Sequence, residues 1–285
     1  MESIPVRHLN AGQKEPALSD AFSIRDIQSL LDGKDMVQEL HRHDFYYILA
    51  LENASGSHNI DFTPYTISNQ SVFFIRPGQV HQLILNAAST GYLLQFRDEF
   101  YFPNDKSFNY LLRKASHTNH YQFSTGGFKK PLGLLTYIFQ EFTEKNERYD
   151  EVIKANLGIF FIELTRQQSS RPTETTTLYM QERLEKFLEL LEVHIFTHKQ
   201  VAQYAEMLNL SVYQLNAVVK AALGKTSSEL INGQIILEAK RCLLATSNQV
   251  NQTAYRLGYE DVSYFIRFFK KHTGYSPEVF RHNFK

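Results

Sequence analysis

Cysteine is almost absent. Cys242 is the single one in 285 residues, so neither a disulfide framework nor a cysteine-based zinc site can be assembled within one chain. A reducing, cytoplasmic setting is the expectation. Long apolar runs are missing too: residues 1–13 hold no stretch of signal-peptide length, and the longest run, Phe45 to Leu51, is far too short to span a bilayer. Export and membrane insertion are not expected. The chain also lacks a nucleophile motif, a phosphate-cradling glycine loop and a paired acidic motif, so no catalytic residue is assigned. Net charge is missing as well, with 30 Lys/Arg against 30 Asp/Glu.

What remains is ordinary globular sequence. It is 43% hydrophobic and 21% charged, without a low-complexity block, and long enough for two separate cores. The charges are unevenly placed. Residues 178–285 carry 13 Lys/Arg and 10 Asp/Glu, whereas residues 1–177 carry 17 and 20. Phosphate neutralisation needs local rather than total positive charge, so the C-terminal excess gives weak support to a polyanion partner there.

Between Val37 and Phe96, short apolar or alternating runs (Phe45 to Leu51, Val72 to Ile75, Gln82 to Leu85, Tyr92 to Phe96) are broken by turn-forming sequence. This spacing predicts an all-β barrel or sandwich. From Phe128 to Gln167 the period becomes helical, with Leu132, Leu135, Phe139 and Phe142 on one stripe and Ile153, Leu157, Phe160 and Leu164 on another. Two paired amphipathic helices follow from this, and their stripes suit either of two compatible uses, covering the barrel or forming a dimer seam. Residues 167–177 are polar, include Pro172 and lack an apolar anchor, which marks a linker and domain boundary. Everything after them has helical period: Leu184 to Ile195, Lys199 to Leu208, Val212 to Leu223, Ser228 to Leu244, Val250 to Leu257 and Val262 to His272, then a short tail ending at Phe284.

An internal repeat lies in this second half. Ala205, Leu208, Asn209 and Leu210 match Ala254, Leu257, Gly258 and Tyr259; after the turn, Leu215, Lys220 and Gly224 match Phe265, Lys270 and Gly274. Each copy reads as helix, sharp turn, helix. Asn209 and Gly258 hold the corner, being the residue types that most easily take positive φ. In a helix-turn-helix the second helix enters the major groove of double-stranded DNA, so Val212 to Leu223 and Val262 to His272 are the candidate recognition helices. On the first, Tyr213, Asn216, Ala217 and Lys220 form the stripe opposite Leu215, Val218 and Val219, with Asn216 suited to adenine and Lys220 to phosphate. On the second, Ser263, Ile266, Arg267 and Lys270 share a face while Phe265, Phe268 and Phe269 fill the core, and the planar fork of Arg267 suits guanine. The connecting helix, with Leu230, Ile235, Ala239 and Leu243 as its buried stripe, is long enough to hold two readers about one DNA turn, roughly 34 Å, apart.

From about Leu178 to Asn283 the sequence resembles the AraC/XylS transcription regulators. The resemblance is carried by residues 236–244 (ILEAKRCLL), 254–265 (AYRLGYEDVSYF), 267–277 (RFFKKHTGYSP), and Phe280 with Arg281. There are two departures: Gln234 stands where the family usually places arginine, and Thr253 where it usually places isoleucine. The resemblance implies an all-α domain over residues 178–285 with two helix-turn-helix motifs joined by a helix. It also implies transcription activation by contact with RNA polymerase, with repression as the alternative.

His41-Arg42-His43-Asp44-Phe45-Tyr46-Tyr47, and later Arg76-Pro77-Gly78-Gln79-Val80-His81, look like the cupin-type effector barrel often fused to that unit. Residues 1–166 are accordingly expected to form a cupin-like effector-binding and dimerisation domain, giving an α+β multidomain chain. Cupin enzymes bring two alternating histidines, a glutamate and a distant histidine onto a metal. Here Tyr47 stands at the glutamate position, so no metal or other cofactor is expected. His41, His43, Tyr47, Arg76 and His81 are expected to line a pocket for a small-molecule effector, with homodimerisation through residues 128–167. The competing readings are a metal-dependent cupin enzyme with an accessory helical domain and an adaptor that binds only protein.

Overall fold

The computed structural model describes residues 5–9, 21–101, 106–168, 178–245 and 249–284. They form two compact units divided between the second long helix of the first unit and the first helix of the second. Residues 169–177, most of the expected linker, lie outside the described residues.

The first unit is built on two five-stranded sheets. One sheet joins, in spatial order, β1 (Val6–Arg7), β3 (Met36–His43), β8 (Val80–Leu85), β5 (Gly56–Ile60) and β6 (Thr63–Ile67). The other joins β10 (His120–Gln122), β7 (Ser71–Ile75), β4 (Tyr46–Asn53), β9 (Thr90–Phe96) and β2 (Phe22–Asp26). Successive side chains of a strand face opposite sides, so a strand buried on both sides must be apolar throughout. Residues 47–51 of β4 and 72–75 of β7, in the middle of the second sheet, meet that condition. Tyr47, Leu49, Leu51, Phe73, Ile75 and Leu93 join Ile60, Ile67, Leu83 and Leu85 of the first sheet in one core. Ile48, Ala50, Val72, Phe74, Leu94 and Phe96 join a second core with the helices.

Those helices are α2 (Lys106–Ser116), α3 (Thr125–Glu144) and α4 (Tyr149–Gln168), while the short α1 (Ile27–Leu31) adds Ile27 and Leu31 to the core between the sheets. Ser124 caps the start of α3 by accepting from the Gly127 N–H at 3.2 Å, and Lys145 ends the helix at φ 53°. All eight residues of the two expected stripes lie in, or pack against, the helix-side core. Covering the sheet is therefore one use these stripes have in this unit. The apolar residues that α3 and α4 leave exposed are others, Tyr137, Ile159 and Ile162.

The apolar runs correspond to β4, β7, β8 and β9. Strands β5 and β6 carry no such run: their inward side chains include His58, and β6 is largely exposed, so hydrophobic alternation is weak there.

The second unit is helical: α5 (Leu178–His194), α6 (Val201–Met207), α7 (Val212–Leu223), α8 (Ser227–Ala245), α9 (Val250–Arg256), α10 (Val262–Thr273) and α11 (Pro277–Phe284). The tail expected after α10 is itself a helix, and its Phe280 packs edge-on to Phe269 at 5.5 Å. On α8 the buried residues include Ile231, Ile235, Ile236, Ala239 and Leu243; Leu230, assigned to the stripe from sequence, is half-buried. Among the described residues no helix is long and apolar enough to cross a membrane.

Candidate nucleic-acid interface and effector cluster

The two corners are built alike. After α6, Asn209 takes φ 55° and the Leu210 N–H donates back to the Ala205 carbonyl at 2.9 Å. After α9, Gly258 takes φ 73° and the Tyr259 N–H donates to the Ala254 carbonyl, also at 2.9 Å. The left-handed residue turns the chain sharply enough for the next helix to start at once. Ser211 then opens α7 in a reciprocal capping box with Gln214, and Asp261 opens α10 by accepting from the Ser263 N–H at 2.7 Å. Gly258 has a second reason to be glycine. A Cβ there would lie 2.2 Å from the Phe196 carbonyl oxygen, to which Lys199 Nζ also donates at 3.4 Å.

Helix α7 buries Leu215, Val218 and Val219 and leaves Tyr213, Ala217 and Lys220 exposed, Tyr213 at 83%. Helix α10 buries Phe265 and Phe269 and exposes Ser263, Arg267 and Lys270, with Ile266 half-buried beside them. Phe268 is only half-buried and packs on His272 at 4.6 Å, so it belongs to the margin of the core. The Arg267 guanidinium lies 3.9 Å from the Asp261 carboxylate with both side chains well exposed, a pairing too weak to fix it.

Asn216 behaves differently from the expectation. It is half-buried, and its Oδ1 accepts from the Ser227 N–H at 3.0 Å, capping the first turn of α8. An amide committed in this way cannot also offer its full face to adenine. Two exposed residues were missed from sequence, Tyr264 and Lys271 on α10, although a tyrosine inside a polar, basic helix face was the available signal.

In the first unit, four histidines meet on the inner side of the first sheet. His41 and His43 alternate on β3, His81 on β8 pairs with His41, and His58 lies on β5 beyond β8. All four are buried, as is Tyr47, whose ring stacks on His43 at 5.2 Å. His43 Nε2 lies 3.1 Å from His41 Nε2 and 2.8 Å from His81 Nε2. Behind them, His41 Nδ1 contacts the Glu39 carbonyl at 2.7 Å and His81 Nδ1 contacts His58 Nε2 at 2.9 Å. Desolvation lowers the pKa of His41 to about 4 and those of His43 and His58 to about 3, and takes His81 well below its usual value. The rings are therefore neutral near pH 7. The nearby cation is Arg7 on β1, which acts on His41, His43 and His81.

Sequence grouped His41, His43, Tyr47 and His81 correctly in space but chose a different arginine. Arg76 sits in the turn between β7 and β8, where its backbone N–H donates to Gln79 Oε1 at 2.7 Å. His58 was missed, since nothing in the local pattern marks an isolated histidine on a polar strand. The loss of the carboxylate at Tyr47 had argued against a metal, yet His41, His43 and His81 offer ligand atoms all within 4.8 Å of one another.

Comparison with known proteins bears on both units. A family model described as an AraC-like ligand binding domain matches residues 33–113, and one described as a helix-turn-helix domain matches residues 204–283, together more than half of the chain. The HTH-type transcriptional activator RhaS of Enterobacter sp. (strain 638) is 25% identical over 246 residues, covering 85% of this chain and 86% of that protein. RhaS of Citrobacter koseri is similar to the same extent. Among solved structures, ToxT from Vibrio cholerae with bound unsaturated fatty acid has 16% identity and a TM-score of 0.43, covering 92% of this chain and 95% of that one. The chain belongs to the AraC/XylS-type transcription regulators, and it is a DNA-binding, ligand-responsive regulator. That family is one of regulators, which disfavours the reading as a cupin enzyme.

Proposed function

We propose that the chain activates transcription in the cytoplasm by laying α7 and α10 into successive major grooves of double-stranded DNA, under control of an effector bound in the first unit. The observation that carries this reading is the repeated corner, which leaves two helices with polar, partly basic outward faces. Arg267 reads guanine, Lys220 and Lys270 hold phosphates, and Tyr213, Ala217, Ser263 and Ile266 complete the two contact faces. Asn216 is a positioning residue that ties α7 to α8. Activation is supported by the curated relatives, which are named transcriptional activators, and in this reading it proceeds by contact with RNA polymerase.

In this reading residues 1–166 bind the effector and dimerise, and residues 178–285 bind DNA. Dimerisation through residues 128–167 uses the outward residues Tyr137, Ile159 and Ile162, because the stripes beneath are occupied by the core. The effector acts through different affinities for two placements of the DNA-binding units. Selection of bound fragments from genomic DNA with the full-length protein tests the reading: it should recover a small set of related sites. Recovery of random sequence at every salt concentration would refute it.

A further inference from the structure

Three of the four clustered histidines direct Nε2 toward one another, and their proton accounting is incomplete. The Glu39 carbonyl can only accept, so His41 carries its proton on Nδ1 and presents a lone pair at Nε2. When His81 likewise gives its Nδ1 proton to His58 Nε2, it presents a second lone pair. A single shared proton on His43 Nε2 is then all that can serve the contacts of 3.1 and 2.8 Å among the three nitrogens. A cation serves all three at once. In a tetrahedral site with metal–nitrogen bonds of about 2.0–2.1 Å the ligand nitrogens lie about 3.3 Å apart, so the two close pairs part slightly and the third, within 4.8 Å, draws in.

We infer that the first unit binds a divalent transition-metal ion on the Nε2 atoms of His41, His43 and His81, that His58 positions His81 from behind, and that the ion's remaining positions take a small anionic ligand such as a carboxylate. Imidazole suits zinc, iron(II), nickel and copper, and a hydrogen bond at the far ring nitrogen fixes the orientation of His41 and of His81, whereas His43 Nδ1 has no partner among the described residues. The anion follows from charge. Three neutral rings leave both charges of the ion uncompensated, Arg7 adds another nearby, and among the described residues no carboxylate joins the group. Burying such charge without a counter-charge is costly. The anionic ligand rests on the reading of this unit as effector-binding, whereas the metal site rests on the histidine geometry alone.

The test uses full-length, tag-free protein, stripped with chelator and reloaded with zinc or cobalt(II), then followed by elemental analysis and by the visible spectrum of cobalt. The expected result is one ion per chain, lost in His43→Ala. Affinity should fall about 10- to 100-fold in His58→Ala and recover in part in His58→Gln, whose amide oxygen can accept the same proton. Acetate should shift the cobalt spectrum. Metal uptake by the wild type no greater than that of His43→Ala, or of His81→Gln should the first variant not fold, overturns the metal site. Unchanged affinity in His58→Ala overturns its positioning role, and a cobalt spectrum indifferent to acetate, formate and bicarbonate overturns the anionic ligand. None of these measurements uses DNA, so their failure leaves the DNA-binding reading standing, and the converse holds.

Discussion

Asn216 stands in the middle of a recognition helix, yet its side chain serves the neighbouring helix. Ser227, whose N–H it holds, is buried, so removing the amide leaves a donor without its partner. Asn216→Ala should therefore cost about 1–3 kcal/mol of unfolding free energy in urea titration. Arg267→Ala, at an exposed position, should stay within about 0.5 kcal/mol of wild type in the same assay. The two variants thus separate a fold-positioning role from a contact role. Equal stability of both would contradict the assignment of Asn216.

Thr253 supplies the reverse case. It is 1% exposed and among the described residues its Oγ1 has no hydrogen-bond partner, at a position where the family resemblance leads one to expect isoleucine. A buried hydroxyl that makes no bond retains its desolvation cost. Thr253→Val should raise stability by about 1 kcal/mol, read as an increase in the urea midpoint at unchanged slope. A lower midpoint would mean that the hydroxyl is hydrogen-bonded in the folded chain.

At the scale of elements, the corners were legible because their requirement is local. A helix that must turn within a residue or two needs positive φ, and few residue types accept it, so Asn209 and Gly258 stood out when the two copies were compared. Gly258→Ala should be the more damaging substitution. It combines positive φ with a Cβ 2.2 Å from the Phe196 carbonyl, and a loss above about 2 kcal/mol is expected in thermal unfolding of the full chain. Asn209→Ala meets only the backbone penalty, about 1 kcal/mol.

The strands were less legible for an equally physical reason. Runs such as Val72 to Ile75 announced themselves because both faces are buried, whereas β5 and β6 place polar or exposed side chains on at least one face. The histidine cluster was partly legible. The alternation of His41 and His43 and the later His81 were readable as one group, but His58 and Arg7 reach it only through strand pairing distant in sequence. Burial of the α3 and α4 stripes could not be told from a dimer seam, because both uses demand the same spacing.

At the scale of the whole molecule, the two units divide recognition from sensing, and the separation of charge follows that division. Phosphate contacts release counter-ions, so duplex affinity should fall steeply as salt rises, and Lys220→Ala or Lys270→Ala should each lower the magnitude of the logarithmic slope by about 1 while weakening all sequences alike. Ligand control enters through the first unit and can change DNA binding only as far as the ligand prefers one placement of the units over another. A variant such as His43→Ala should then alter the ligand response and leave salt-dependent duplex affinity in place.

The central claim is that α7 and α10 are the DNA-reading surfaces. Fluorescence-anisotropy titration of a fragment selected by the full-length protein, comparing wild type with Arg267→Ala, tests it most directly. The account predicts a loss of about 1–3 kcal/mol at the selected site and a far smaller loss on unrelated duplex. Equal affinity of the two proteins for the selected site would contradict it.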